Sequence, residues 1–363
     1  MSSIIFIADG RDFHAIDWYR TIVKICINRK VYLATDVLKA EGSEVLLSSS
    51  DNIINMFNID KWLFWKQSAY GNIWRNCIKL LFFPLQVACL KKIAKQYPHA
   101  IFHAHTMYYL FIAWLSGIEY IGSPQGDEIL IRPYQSKIYH FFAKKSLKGA
   151  KFLIVDSENL KRGIKKIANR DADVIQYGID VAAIRQETDF DIQRTGIVSI
   201  RAWYPLYRIA QIIKERNSHL PTQRLIFFFP FSEDGYVQKI FSLVKPSDEI
   251  LGRLPHKKEI YTLLAKTSLV ISIPESDSSP RSVYESIFCG CAVAVTFNPW
   301  IDSLPECMKA RIILVDIDKP KWLENAIEAS KDIIKSKYIP SEAAVEMFDQ
   351  NQSMLNVASK YYI

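Results

Sequence analysis

The feature that most constrains this chain is a repeated alternation of short apolar runs with longer segments of helical period. In the first half the runs are Ile4–Ala8, Val31–Ala34, Val45–Leu47, Ala100–Ala104, Tyr120–Ser123, Phe152–Val155 and Val174–Tyr177. They are rich in Ile, Val and Phe and bounded by Gly, Pro, Asp or His, which reads as strands. Between several of them lie segments of helical length, such as Met107–Leu115 and Tyr134–Lys148. Strand–helix alternation of this kind implies parallel sheets covered on both faces. The pattern then starts again. Gly196–Ile200, Leu225–Phe229, Val270–Ile273, Ala292–Val295 and Ile312–Val315 read as strands. Leu206–Asn217, Lys258–Ala265, Arg281–Phe288, Lys321–Ile334 and Ser341–Tyr361 read as helices. Two α/β units in tandem follow, with the break in the polar, aperiodic stretch Asp180–Thr195. Doubly wound sheets take ligands at the carboxyl ends of their strands, so two facing sheets place a ligand cleft between the domains.

A length of 363 residues suits two domains, and 49% hydrophobic with 23% charged residues is the composition of folded globular protein. The net charge of +8 is compatible with simple solubility or with an anionic partner: nucleic acid, an acidic membrane surface or a phosphorylated small molecule. Cys26, Cys77, Cys89, Cys289, Cys291 and Cys307 form no CxxC pair and no zinc-type spacing, so they read as buried thiols in a reducing cytosol. The amino terminus lacks the basic region of a signal peptide. No stretch reaches about 18 apolar residues without charges, so no membrane span is expected.

The most informative segment runs Val270-Ile-Ser-Ile-Pro274-Glu275-Ser276-Asp277-Ser278-Ser279-Pro280-Arg281-Ser282-Val283-Tyr284-Glu285-Ser286-Ile287-Phe288-Cys289-Gly290 and on into Ala292–Val295. It reads as strand, loop, helix, tight glycine turn and strand. Ser279 is placed to cap the helix, and Pro280 to take its first position, where a missing N–H costs nothing. Gly290 is placed to end it in the left-handed conformation. The start of such a helix presents N–H groups and partial positive charge, which suits a diphosphate, and Arg281 adds a full charge. Asp277 precedes the helix and Glu285 lies about a turn and a half inside it. Both are expected to face one cleft, where carboxylates accept bonds from sugar or ribose hydroxyls. A capped surface helix with incidental acids is the plainer alternative.

The segment resembles the signature of glycosyltransferase family 4, in which two acids precede a small-residue turn at this spacing. Asp277 stands where the family usually has Glu, and Glu285 holds the second position. The resemblance implies an α/β chain of GT-B type: two Rossmann-like, doubly wound parallel-sheet domains facing across a cleft. Residues 1–185 would form the acceptor-binding domain and residues 186–340 the nucleotide-sugar domain. A terminal helix in 341–363 would pack back on the first domain. By the same resemblance Glu285 binds the donor ribose, and Asp277 with Ser278 and Ser279 meets the transferred sugar. Pro280, Arg281 and Ser282 complete the donor loop, and Arg201, after the first strand of the second unit, reaches the diphosphate. The family's Lys five residues on is Leu206 here. Arg208 either replaces it, since a guanidinium clamps phosphate, or lies on a solvated helix face.

In the first unit, Ser123-Pro124-Gln125-Gly126-Asp127-Glu128-Ile129-Leu130 resembles the family's Pro-His-Gly-Ser-Asp-Ile-Leu loop, with Gln125 in place of His and Glu128 at the acid position. A turn built on Gly126 is the structural alternative. Ala104-His105, Ala150–Ser157, Tyr177-Gly178-Ile179-Asp180 and Leu251-Gly252-Arg253-Leu254 resemble further family segments. Asp9-Gly10 sits where GT-B proteins often meet the acceptor, although a strand-end turn accounts for it as well. The catalytic set is therefore Asp277, Glu285 and Arg201. The acceptor set is Asp9, Gly10, His105, Gln125, Gly126, Asp127 and Glu128. Asp-x-Asp pairs at Asp171/Asp173, Asp189/Asp191 and Asp316/Asp318 are scattered, so no metal is expected, and no cofactor beyond the nucleotide-diphosphate sugar.

Residues 61–97 hold Lys61, Lys66, Arg75, Lys79, Lys91, Lys92 and Lys95 with Trp62, Phe64, Trp65, Tyr70, Trp74, Phe82 and Phe83, and no Asp or Glu. A second basic run is Lys137–Lys148. Cations mixed with interfacial aromatics suit an anionic lipid surface; core aromatics under solvated lysines are the alternative. No nucleic-acid motif accompanies the charge. The reading is a retaining, cytoplasmic glycosyltransferase, peripheral on the inner face of the membrane, that adds sugar to a saccharide or lipid-linked saccharide in surface polysaccharide or lipopolysaccharide synthesis. A degenerate nucleotide-sugar or partner binder and a nucleotide-sugar 2-epimerase are the competing readings.

Overall fold

The structure is a computed structural model, described for residues 2–39, 47–48, 50–63, 69–188, 192–229, 232, 234–252, 254 and 256–363. Most of the expected strand Val45–Leu47, the side chains of Phe64, Trp65, Lys66 and Tyr70, the pair Asp189/Asp191 and Arg253 lie outside the described residues. The chain divides into two compact units, one of residues 1–177 with 350–363 and one of residues 178–349.

The first unit is built on β1 (Ile4–Ile7), α1 (Phe13–Ile25), β2 (Val31–Thr35), β3 (Ile53–Asn55), α2 (Ala69–Gln96), β4 (Ile101–His105), α3 (Met107–Ser116) and β5 (Tyr120–Ser123). It continues through α4 (Gly126–Leu130), α5 (Arg132–Gln135), α6 (Lys137–Gly149), β6 (Phe152–Val155), α7 (Glu158–Ala168) and β7 (Asp173–Val174). The described strands form one sheet in the order β3-β2-β1-β4-β5-β6-β7. Every pairing is parallel, with Ile4 beside Val31 on one side and Ile101 on the other. All four residues of β1 are buried, as a strand covered on both faces requires. Polar caps punctuate the helices: Asp12 accepts from the His14 N–H, and Ser157 from that of Leu160.

The second unit repeats the scheme with α8 (Val181–Glu187), β8 (Gly196–Ser199), α9 (Ile209–His219), β9 (Ile226–Phe228), α10 (Asp234–Phe241), β10 (Glu249–Gly252), α11 (Lys257–Ala265) and β11 (Thr267–Ser272). It closes with α12 (Arg281–Phe288), β12 (Ala292–Val295), α13 (Glu306–Lys309), β13 (Ile312–Leu314), α14 (Trp322–Lys335) and α15 (Glu342–Phe348). Its described strands lie in the parallel order β10-β9-β8-β11-β12-β13. In both sheets the order reverses beside the first strand, so β1/β4 and β8/β11 are the switch points where such sheets hold ligands.

Several boundaries differ from the sequence expectation for physical reasons. The stretch read as a linker contains α8, capped by Asp180, and Val181 and Ile184 are buried in the second unit's core. The division therefore falls at 177/178 and not at 185/186. The expected terminal helix breaks at Asp349. Ala344 and Phe348 belong to the second core, whereas α16 (Gln350–Tyr361) joins the first unit. There it packs on α1: Met354, Val357 and Tyr361 share a core with Trp18 and Tyr19, and the Gln350 amide donates to the Thr21 hydroxyl at 2.9 Å. The Tyr362 hydroxyl reaches His103 Nδ1 at 2.5 Å, inside the sheet. The expected helix Leu206–Asn217 is interrupted because Arg208 is left-handed (φ 54°) after a single turn at Pro205–Tyr207.

One buried ion pair ties the far edge of the second sheet. Arg216 on α9 and Asp248 before β10 have fully buried side chains 2.5 Å apart, and the Leu225 and Lys245 N–H groups also donate to Asp248. Removing one partner of such a pair leaves a buried charge uncompensated. Arg216→Met should lower stability by about 3–5 kcal/mol in denaturant unfolding, and adding Asp248→Leu should recover a substantial part. A loss below about 1 kcal/mol in the single variant would contradict this account.

Candidate functional site

The switch point of the second sheet collects polar side chains from separate strand ends. Arg201 leaves the end of β8 with a nearly buried side chain. Its Nη2 lies 2.5 Å from the Asp277 carboxylate, in the loop after β11, and its Nη1 donates to the Ser282 hydroxyl at 3.0 Å, on the first turn of α12. The Tyr207 ring faces the guanidinium at 4.4 Å. The Asn298 side-chain oxygen, after β12, accepts the Asp277 N–H at 3.2 Å. In this partly desolvated setting the ion pair is stronger than at the surface. Among the described residues these two side chains are the hydrogen-bond partners of the guanidinium, which has five N–H donors in all.

The helix start differs from expectation. Pro280 is the N-cap and α12 begins at Arg281, with no side-chain cap bond. Ser279 therefore is not the cap; its hydroxyl lies 3.5 Å from that of Tyr284. Proline offers neither an N–H nor a side-chain acceptor, so the N-cap residue itself supplies no bond to the first turn. Gly290 does adopt the left-handed conformation (φ 87°), and a Cβ there would lie 2.8 Å from the Arg194 guanidinium. Asp277 and Glu285 have different cations. Glu285 Oε1 is 3.7 Å from Arg281 Nε and 3.5 Å from the Tyr261 hydroxyl of α11. Burial, then the Glu285 charge, raises the Tyr261 pKa, which keeps its proton in place as a donor.

Arg208 pairs with Glu275, two residues before Asp277. Its Nε lies 3.8 Å from Glu275, and it lines a cavity of about 470 Å³ with Gln211, Thr296, Phe297, Asp316 and Asp318. Leu206, at the position of the expected cation, instead accepts the Glu275 N–H through its carbonyl at 2.9 Å. The scattered acid pairs engage lysines: Asp171 with Lys161, Asp173 with Lys360 and Asp316 with Lys319.

In the first unit, His105 at the end of β4 is brought to Gln125 after β5. The Gln125 amide nitrogen lies 2.7 Å from His105 Nε2 and 3.5 Å from the Tyr177 hydroxyl. Burial pushes His105 down to about 4, so the ring is neutral near pH 7 and accepts from the amide through Nε2. Glu128 is buried and accepts the N–H groups of Gln125 (2.9 Å) and Met107 (2.8 Å), tying the two strand-end loops together. Gly126 opens α4, and Asp127 is half-exposed in a 2.6 Å ion pair with Arg132.

Asp9 sits apart from that group, in an ionic cluster. Arg11 donates to it from its backbone and guanidinium, and Lys79 lies 3.7 Å from Asp9 and 3.6 Å from the buried Asp36. Against burial, which acts the other way, Arg11 and Lys79 hold Asp9 at about 2. Gly10 is required by packing, because a Cβ would meet the Val37 carbonyl at 2.5 Å. Asp36 also accepts from Tyr109 and Gln86. Asp36, Gln86, Tyr109, Tyr177, Tyr207, Tyr261 and Asn298 were not among the expected site residues. Only Asp36, directly after β2, and Asn298, three residues after β12, carry a sequence signal, as polar residues in strand-end loops.

Solved structures share this architecture across the whole chain. HepE of Anabaena in complex with UDP is 15% identical, covers 99% of this chain and 99% of its own, and gives a TM-score of 0.70. Sucrose-phosphate synthase of Thermosynechococcus elongatus is 12% identical over 100% and 98%, with a TM-score of 0.74. The UDP-forming α,α-trehalose-phosphate synthase of Burkholderia vietnamiensis is 9% identical over 100% and 99%, at 0.69. No family model and no curated protein matches the sequence. At these identities the likeness establishes the fold, which is GT-B: two parallel-sheet α/β units.

Burial raises the Glu128 pKa to about 7. The folded state therefore keeps a proton that the unfolded chain releases near 4.5. The group's contribution to stability is full below about 4.5 and is lost as pH rises through 7. Relative to wild type, Glu128→Gln should gain stability across pH 4.5–7, by up to about 3 kcal/mol, and stay level outside that window. Paired melting curves from pH 4 to 8 measure it; a pH-independent difference would refute the assignment.

Proposed function

We propose that this chain is a glycosyltransferase that takes its sugar from a nucleoside-diphosphate sugar bound at the switch point of the second unit. The observation that carries the reading is the Arg201 guanidinium, held by Asp277 and Ser282 beside the start of α12. In glycosyl transfer the transition state is oxocarbenium-like, and negative charge grows on the leaving diphosphate. Arg201, Arg281 and the amino end of α12 form a preorganised positive field for that charge. Asp277 is oriented by Arg201 to hold a sugar hydroxyl. Glu285, beside the Tyr261 hydroxyl, accepts from the ribose. Front-face attack, which the family resemblance favours through retention, needs no enzymic nucleophile. On the first unit the Gln125 amide, held by the neutral His105 ring, is assigned to bond an acceptor hydroxyl.

A lipid-linked saccharide on an anionic membrane is the acceptor setting that fits the surface of the first unit, and surface polysaccharide or lipopolysaccharide synthesis is the matching pathway class. What supports it is a helix that is apolar on its outer side as well as on its inner one. The buried side of α2 carries Gln86 and Lys79 among its apolar residues, whereas its outer side exposes Ile73 (64%), Leu80 (75%), Leu81 (68%) and Leu85 (49%). The outer stripe continues into the exposed Lys91, Lys92 and Lys95. Beyond α3, against which both α2 and α6 pack, α6 exposes Ile138 and Phe141 with Lys137, Lys144 and Lys145. No helix among the described residues is long and apolar enough to cross a membrane, so this reading is of a surface-bound state.

Thermal shift with UDP, GDP, ADP and CMP tests the donor site. One diphosphate nucleotide at a hundredfold excess over its dissociation constant should add about 2.7 kcal/mol, and Glu285→Ala should reduce the shift strongly. No shift with any nucleotide would overturn the transferase reading. Donor converted without acceptor would indicate an epimerase, and binding without turnover a non-catalytic binder.

The lipid surface is tested by sedimentation with phosphatidylserine-containing vesicles. Wild type should co-sediment, and Leu80→Glu with Leu81→Glu should abolish it while leaving stability within about 0.5 kcal/mol, since both sites are exposed. Equal sedimentation of the two proteins would remove α2 from the argument.

A further inference from the structure

The cavity of about 470 Å³ in the second unit is lined by residues other than Arg201 and Asp277. Its walls come from just past β12 (Thr296, Phe297), from just past β13 (Asp316, Asp318) and from the start of α9 (Arg208, Gln211). The volume falls within the roughly 300–1,000 Å³ of small-molecule sites. Phe297 is 62% exposed, a large apolar ring among polar neighbours. The polar groups are held to one another: the Gln211 amide nitrogen donates to the Ile317 carbonyl at 3.4 Å, and the Asp316 carboxylate accepts the Asp318 N–H at 3.2 Å. The Asp316–Lys319 pair, at 3.7 Å, is more than half exposed on both sides and therefore weak, so that carboxylate can still accept from a ligand. The segment Pro274–Asp277 joins the cavity wall to the Arg201 group. Thr296 donates to the Pro274 carbonyl at 3.2 Å, Arg208 lies 3.8 Å from Glu275, and Asp277 pairs with Arg201.

We propose that this cavity binds a neutral saccharide that carries no nucleotide, with one sugar ring seated against Phe297. The lining chemistry makes the choice. A phosphate would lie against the carboxylates of Asp316 and Asp318, and a cation against the Arg208 guanidinium. Sugar hydroxyls both donate and accept, so they match the two carboxylate acceptors together with the guanidinium and amide donors. The C–H face of a pyranose carries slight positive charge and packs on the negative face of an aromatic ring. An exposed phenylalanine beside convergent carboxylate, amide and guanidinium groups meets both requirements at once. The site goes beyond the donor reading: it holds a second sugar next to the loop that carries Asp277, and it does not depend on nucleotide binding.

Saturation-transfer NMR titrations with glucose, galactose, mannose, N-acetylglucosamine, maltose and lactose test it on wild type, Phe297→Ala and Asp318→Ala. Wild type should bind at least one of these sugars. Phe297→Ala should weaken that binding roughly tenfold, and Asp318→Ala about threefold or more. Both variants should melt at the wild-type temperature, since both side chains are exposed. If Phe297→Ala does not fold, Asp318→Ala decides alone. Saturating UDP should leave the sugar signal in place. Binding of none of the six sugars would overturn the proposal, as would equal affinity in wild type and the folded variants. Loss of the sugar signal on adding UDP would also overturn it, because the cavity would then belong to the nucleotide site. The UDP, GDP and ADP thermal shifts read the donor site separately. If no nucleotide binds while the sugar binds wild type and is lost in Phe297→Ala, the transferase reading fails and the saccharide site stands.

Discussion

Parallel strand pairing is the constraint on which everything else in this molecule depends. Parallel neighbours cannot be joined by a tight turn, so each pair needs a crossover, here usually a helix. The crossover returns the chain to the same end of the sheet, which gathers all strand exits and the following helix starts along one edge. At the point where the winding reverses, neighbouring exits diverge and leave room. Both units follow this rule. Asp9 and His105 leave β1 and β4, and Arg201 and Asp277 leave β8 and β11. The chemistry-bearing side chains stand where the topology makes space for them.

Charge distribution follows a second rule, that buried ions are paired. Arg216 with Asp248, Arg201 with Asp277, and the Asp9–Arg11–Lys79–Asp36 cluster each enclose opposite charges at short range. The first is wholly buried and holds a sheet edge. The second is nearly buried yet lies at a switch point, where it retains donors for a ligand. The difference in role is one of place and not of chemistry. The outer stripe of α2 stands out against this background, because apolar side chains there face outward while Gln86 and Lys79 face inward among core residues.

Much of the fold was readable because strands buried on both faces are apolar throughout. Phe152–Val155, Tyr120–Ser123 and Ala292–Val295 begin and end at the residues expected. The alternation does not mark α7 or α10: α7 has Lys, Arg, Asn and Glu at most of its positions, and α10 makes only two turns. β3 escapes because two of its three residues are exposed. The site was readable in part. His105, Gln125 and Glu128, expected together in the acceptor set, are joined by hydrogen bonds, and Arg201, expected to reach the diphosphate, bonds Asp277 and Ser282. Ser279 was expected as the cap, but the N-cap is Pro280, and Arg208 pairs with Glu275 rather than with Asp277.

What the sequence by itself determined was the α/β class, the two tandem units, most of the strands and the residue types at the strand ends. These follow from local hydrophobic period and turn chemistry, which act over a few residues. What only the tertiary structure decided was partnership. Arg201 with Asp277 spans 76 positions, Gln86 with Asp36 spans 50, and His103 with Tyr362 spans 259. No local pattern encodes such pairs, because they depend on where strands and helices are laid side by side.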